Sequence, residues 1–271
     1  MKLLKVIIML SISLTLTASG IDLHKLSKST VSNVTESYAY QKGQSLDTSK
    51  AQIENYPNIK TSQFSGVGRV ENLRKNKKTK HVGTGFVIDK HTFVTNAHVV
   101  SEKSGQLSTA KQITFQPSRD DFKKPYVFHA KSIKPLSNLD IAIVKTKESM
   151  SDVKPVKFAN QRDMSHLKNK DKIFHIGYPK TRYGGRYTVS KGNGFYLSDT
   201  QIGFRQKGMV NKMAVRTGAS GSPIFNQNGR VIGIVSYSYN SSGERTSSYA
   251  KEELSGGVLF NQHVRDELKN N

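Results

Sequence analysis

Cysteine is absent from all 271 residues. That excludes disulfide staples and thiolate metal ligands, so packing and hydrogen bonds alone must hold the fold. Acidic residues are scarce, 20 against 42 Lys and Arg, for a formal charge of +22. A field of that sign favours anionic surfaces or acidic partners, with a merely solvated basic face as the plain alternative. The densest basic run, RKNKKTK with Lys75, Lys77, Lys78 and Lys80, has no interleaved aromatics for stacking on bases. It reads as a hairpin loop and gives no sign of specific nucleic-acid binding. HExxH, EF-hand and paired-His spacings are all missing, so neither a metal nor another cofactor is expected.

Long apolar runs are missing too, apart from Val6–Leu16. It is shorter than the about 20 residues a membrane span needs, and Lys2 and Lys5 precede it while Ala18, Ser19 and Gly20 follow. That is the layout of a secretory signal over residues 1–20, cut after Gly20. The exported, extracellular chain would carry +20, because the lost segment holds two lysines and no acid, and no transmembrane anchor remains.

Residues 21–60 are polar, rich in Ser, Thr and Lys, and without sustained periodicity; they read as a pro-segment or loose N-terminal extension. From Gly66 the texture changes to short β-branched and aromatic runs: VGRVENL, GTGFVIDK, TFVTNAHVV, QITFQP, YVFHAKSIK and LDIAIVK. A second set follows, with KIFHIGYP, RYTVSKGNGFYL, MVNKMAV, SPIFNQNGRVIGIVSYS and SGGVLF. Many strands with little helix predict an all-β protein over residues 61–271. A linker near Met150–Lys157 divides it into halves of about 61–150 and 158–260, with a short C-terminal helix over about 261–270. Within IFNQNGRVIGIVSY, Asn228 and Gly229 are expected to supply positive φ at a hairpin turn.

The small residues of RTGASGSPIF, Arg216–Phe225, suit a tight turn before a buried strand. They also suit a nucleophile at Ser220, which would need a base and a carboxylate to orient that base. Among eight histidines, His98 closes a strand-like run at Ala97, and Asp140 stands just before the continuous apolar strand of NLDIAIVK. Each alone reads as a packing or capping residue. Together, His98, Asp140 and Ser220 follow the His, Asp, Ser order of the two-barrel serine proteases. Gly218 then lets its own N–H and that of Ser220 point together at a developing oxyanion.

The blocks GTGFVIDKHTFVTNAHVV, LDIAIVK, IGYP, TGASGSPIFNQNGRVIGI and GGVLFNQHVRDELK resemble those of the staphylococcal glutamyl endopeptidases and exfoliative toxins, over about Tyr56 to the C-terminus. The resemblance implies the chymotrypsin-like fold, two antiparallel six-stranded β-barrels. It also implies His98 as general base and acid, Asp140 as its orienter, Ser220 as nucleophile and Gly218 with Ser220 as oxyanion hole. Ala219 stands where the family commonly has Asn, so a weakened enzyme is the competing expectation.

The threonine and histidine that share glutamate selection in the family correspond here to Val215 and Val235. Ala214 takes the pocket-base position, and the run from Val235 to Ser238 takes the pocket wall. A carboxylate between two valines would be desolvated without compensation, so an uncharged apolar P1 residue is expected, with Arg216 at the rim as the route to an acidic one. The expectation is a monomeric, secreted serine endopeptidase acting on protein or peptide. Its alternative is a catalytically weak or inactive protease-fold protein that binds anionic cell-wall or host surfaces.

Overall fold

The structure is a computed structural model and describes residues 53–75, 80–179, 189–203, 206–239 and 254–270. The signal segment, most of the N-terminal extension, and Lys77 and Lys78 of the basic run lie outside them.

Six strands close the first barrel: β2 (Val67–Leu73), β3 (Lys80–Asp89), β4 (Thr92–Thr95), β5 (Ile113–Pro117), β6 (Phe128–Pro135) and β7 (Ala142–Thr146). They close in the order β2-β3-β4-β7-β6-β5, every pair antiparallel. Alternate residues point inward, so Val70, Phe93, Phe115 and Val144 meet in one core, with the Phe93 and Phe115 rings stacked at 4.3 Å. Each such side chain withdrawn from water contributes roughly 1.5–3 kcal/mol. Lys80, read from sequence as part of a loop, is the first residue of β3, where its ammonium meets Glu71 Oε2 at 2.8 Å.

The second barrel comprises β8 (Lys172–Gly177), β9 (Ser190–Gly203), β10 (Gln206–Met213), β11 (Pro223–Asn226), β12 (Val231–Tyr239) and β13 (Leu254–Leu259). It runs β9-β10-β13-β12-β11-β8 and closes through a β8–β9 pairing. A further strand, β1 (Ile53–Asn55), lies antiparallel on β9 with Ile53 opposite Gly192. Ile59 is buried in the core and Tyr56 packs against it. Ordered packing therefore starts before residue 61, because a few apolar residues in the polar extension find an open edge.

The hairpin of β11 and β12 forms as expected, but only Gly229 has positive φ (68°); Asn228 does not. The Gly229 N–H closes the turn onto the Asn226 carbonyl at 3.0 Å. The Asn226 side chain accepts from the Asn228 and Arg230 amides, which makes a left-handed residue at Asn228 unnecessary.

Between the barrels, Phe86, Val94, Ile141 and Ile143 of the first pack with Ile176, Phe225, Ile234 and Phe260 of the second. The connector is part of this packing: Met150 N–H reaches the Lys90 carbonyl at 2.7 Å and Val156 N–H the Val87 carbonyl at 2.9 Å. A short helix α1 (Gln161–Ser165) follows it. The chain ends in α2 (Gln262–Lys269), where Asn261 caps the Val264 amide while Val264 and Leu268, one turn apart, enter the inter-barrel core. Among the described residues no helix is long and apolar enough to cross a membrane.

Candidate active site

β4 ends at Thr95, and after Asn96 the chain turns into a short 3₁₀ segment, Ala97–Val100, that carries His98. Ala97, Val99 and Val100 are buried, which holds the turn down while the His98 side chain stays 23% exposed. Asp140 sits at the end of a tight loop, between buried Leu139 and Ile141, just before β7. The two residues meet twice. His98 Nδ1 lies 2.8 Å from Asp140 Oδ2, and the His98 backbone N–H donates to Oδ1 at 3.1 Å. With Nδ1 carrying the proton toward the carboxylate, Nε2 presents a lone pair to the cleft, as a general base requires.

Ser220 comes from the second barrel, on the loop between β10 and β11. Its first half is a four-residue turn: Ala219 N–H donates to the Arg216 carbonyl at 2.9 Å, and Gly218 has φ 100°, a conformation that favours glycine. Among the described residues the N–H groups of Gly218 and Ser220 have no acceptor, so both stay available for an oxyanion. The loop is pinned to the first barrel at one residue. Thr84 of β3 donates its N–H to the Ser220 carbonyl at 2.8 Å and its hydroxyl to the Gly218 carbonyl at 3.0 Å. The same Thr84 hydroxyl accepts the Tyr178 N–H at 2.9 Å.

Gly83, one residue earlier, makes the approach close. A Cβ there would lie 2.6 Å from the Val99 side chain and 3.1 Å from the Ser220 carbonyl oxygen. The turn carrying His98 and the loop carrying Ser220 thus press on the same bare backbone. Among the described residues no hydrogen bond joins the Ser220 hydroxyl to the His98 ring; such contacts are often long until substrate is bound.

The residues expected to form the specificity pocket lie along the second barrel. Ala214, Val215 and Val235 are buried, the two valines within the apolar core of that barrel. Ser238 belongs to β12, opposite Ser255; its side chain lies outside the described residues. Behind Ala214 stands His175, wholly buried, with Nε2 2.9 Å from the Ala214 carbonyl. Burial first, and the nearby Arg216 charge besides, depress its pKa to about 4 against the opposing hydrogen bond, so it is neutral at ordinary pH.

Sequence reasoning did not single out Thr84, His175 or Asn96. Thr84 had a faint signal, a polar residue between two glycines in an inward-packed strand. His175 lay in an apolar run like many core histidines.

Two closed antiparallel barrels, with a His–Asp pair on one and a glycine-rich serine loop on the other, define the chymotrypsin-like architecture. Residues 83–234 match the trypsin-like peptidase domain, and the chain belongs to that family. A Staphylococcus aureus glutamyl endopeptidase is 28% identical over 196 residues, covering 70% of this chain and 54% of that protein. The chain thus spans about half the length of the curated relatives it matches. A solved structure of a Glu endopeptidase in complex with MPD aligns with TM-score 0.63 and 15% identity, over 81% of this chain and 96% of that one. A Mycobacterium tuberculosis protease in its active form aligns with TM-score 0.56 and 19% identity, over 80% and 87%. At those identities the structural likeness speaks for the fold.

Proposed function

We propose that the protein is a secreted serine endopeptidase that hydrolyses peptide bonds through an acyl-enzyme on Ser220. The observation that carries this is the His98–Asp140 pair, bonded at 2.8 Å, with the Ser220 loop pinned beside it through Thr84. Family membership and the basic, signal-like N-terminus support it.

Ser220 Oγ attacks the scissile carbonyl as His98 Nε2 takes its proton, while Asp140 holds the tautomer and stabilises the imidazolium. The oxyanion forms against the N–H groups of Gly218 and Ser220. Collapse breaks the C–N bond, and His98 returns the proton to the leaving amine. Water, deprotonated by His98, then frees the acid from Ser220. Buried Ala214, Val215 and Val235 offer no charge at the pocket, which favours an uncharged apolar P1 residue over glutamate.

A serine-directed phosphonylating probe should label the mature protein and leave Ser220→Ala unlabelled, with kcat in that variant down on the order of 10⁶-fold. Mature protein that never labels would favour the alternative, a protease-fold protein that binds anionic surfaces. Cleavage of a peptide library should show an apolar P1; a sharp preference for Glu or Asp would overturn that pocket.

A further inference from the structure

Asn96 sits at the start of the Ala97–Val100 turn, where an asparagine ordinarily caps a helical segment with its side chain. It makes no such cap. Its Nδ2 donates instead to the Asp140 backbone carbonyl at 2.6 Å and to Ser236 Oγ, on β12 of the other barrel, at 3.1 Å. The residue is fully buried. The short contact to a carbonyl fixes which way the amide faces, since the reversed amide would set oxygen against oxygen. Both Asp140 carboxylate oxygens are engaged by His98, so the carboxylate's position depends on what holds the Asp140 main chain.

We propose that Asn96 is a positioning residue for the reaction: its amide clamps the Asp140 main chain to β12, so that the His–Asp pair is held in register with the barrel that carries the nucleophile. The proposal rests on the serine-protease reading. It goes beyond that reading in giving the carboxylate a support from across the cleft. Removing the amide leaves the three reacting side chains in place and loosens the aim of one. Misplacement on the order of 1 Å costs as much as about 100-fold in rate.

The test uses the mature protein and the variants Asn96→Ala, Asn96→Ser and Ser236→Ala. In Asn96→Ala, kcat should fall by on the order of 10²-fold with KM nearly unchanged. The low-field NMR resonance of the proton between His98 and Asp140 should shift or broaden in the same variant. Asn96→Ser, which keeps one shorter donor, should recover part of both. Ser236→Ala should give a smaller loss that does not add to that of Asn96→Ala.

A normal kcat in Asn96→Ala, or a lowered kcat with the resonance unmoved, would overturn the clamp. If Asn96→Ala does not fold, the same two readings of Ser236→Ala and Asn96→Ser decide. Should the unsubstituted protein fail to label with the phosphonylating probe, the protease reading falls by itself. The resonance, which needs no turnover, still shows whether Asn96 governs the His–Asp geometry.

Discussion

In the first barrel the buried carboxylate of Glu71 is met on both oxygens. Arg69 Nε and an Arg119 guanidinium nitrogen reach Oε1 at 3.1 and 2.8 Å, Lys80 reaches Oε2 at 2.8 Å, and Arg119 also holds Gln116. In the second barrel, His175 Nδ1, both amide atoms of Asn211, Ser222 Oγ and Ser255 Oγ have no hydrogen-bond partner among the described residues, although all are buried. The first half closes a charge network around Glu71 and leaves Asn72 Oδ1 and Asn96 Oδ1 unmatched; the second leaves more such atoms unmatched and buries Lys212 in β10. The first carries His98 and Asp140. In the second, which carries the serine loop and the pocket positions, the buried imidazole behind Ala214 is neutral.

The contrast is broken most forcefully at Glu71. Burial would raise its pKa, but the Lys80 hydrogen bond and charge, followed by those of Arg69, win and bring it to about 2. The folded value lies below the ordinary 4.5, so the stability it contributes is present above that pH and is lost as pH falls toward 2. Glu71→Gln removes the one carboxylate charge that two buried guanidinium groups share and should cost about 3–5 kcal/mol in urea unfolding at neutral pH. A loss below about 1 kcal/mol, typical of surface ion pairs, would mean the buried network does little to hold the first barrel together.

A somewhat smaller effect, visible only in acid, tests the second barrel. As pH falls from the ordinary imidazole value of 6.5 to about 4, the unfolded chain takes a proton at His175 before the folded one does. That should remove about 3 kcal/mol of stability across the window. His175→Gln, which keeps a donor for the Ala214 carbonyl and does not titrate there, should flatten the decline in unfolding midpoints between pH 7 and 4.5. The smallest expected effect is at Ser222, whose hydroxyl is buried and unmatched. Ser222→Ala should be neutral or stabilising by under about 1 kcal/mol, read as an unchanged or raised thermal midpoint.

The strands were legible because alternation of β-branched and aromatic residues reports a pleated, half-buried surface directly, whereas the two-barrel plan came through the resemblance to a known family. His98, Asp140 and Ser220 were legible as types in a telling order, and the fold brings the first two into contact. What stayed hidden is what long-range contacts decide. Glu71 and Arg119 are 48 residues apart and Asn96 and Ser236 are 140 apart; no local pattern marks such partners. β1 escaped notice because three residues on a sheet edge need no periodicity of their own. Asn96 carries no signal of its own in the sequence, and only its bonds to the Asp140 carbonyl and to Ser236 show where its amide is used.

The closeness at Gly83 has a practical side. There the seam between the halves is about as wide as one missing methyl, so adding one would act as a wedge, prising apart the turn with the imidazole and the loop with the hydroxyl. Chemistry of this kind could be silenced at the seam, with every reacting group left untouched.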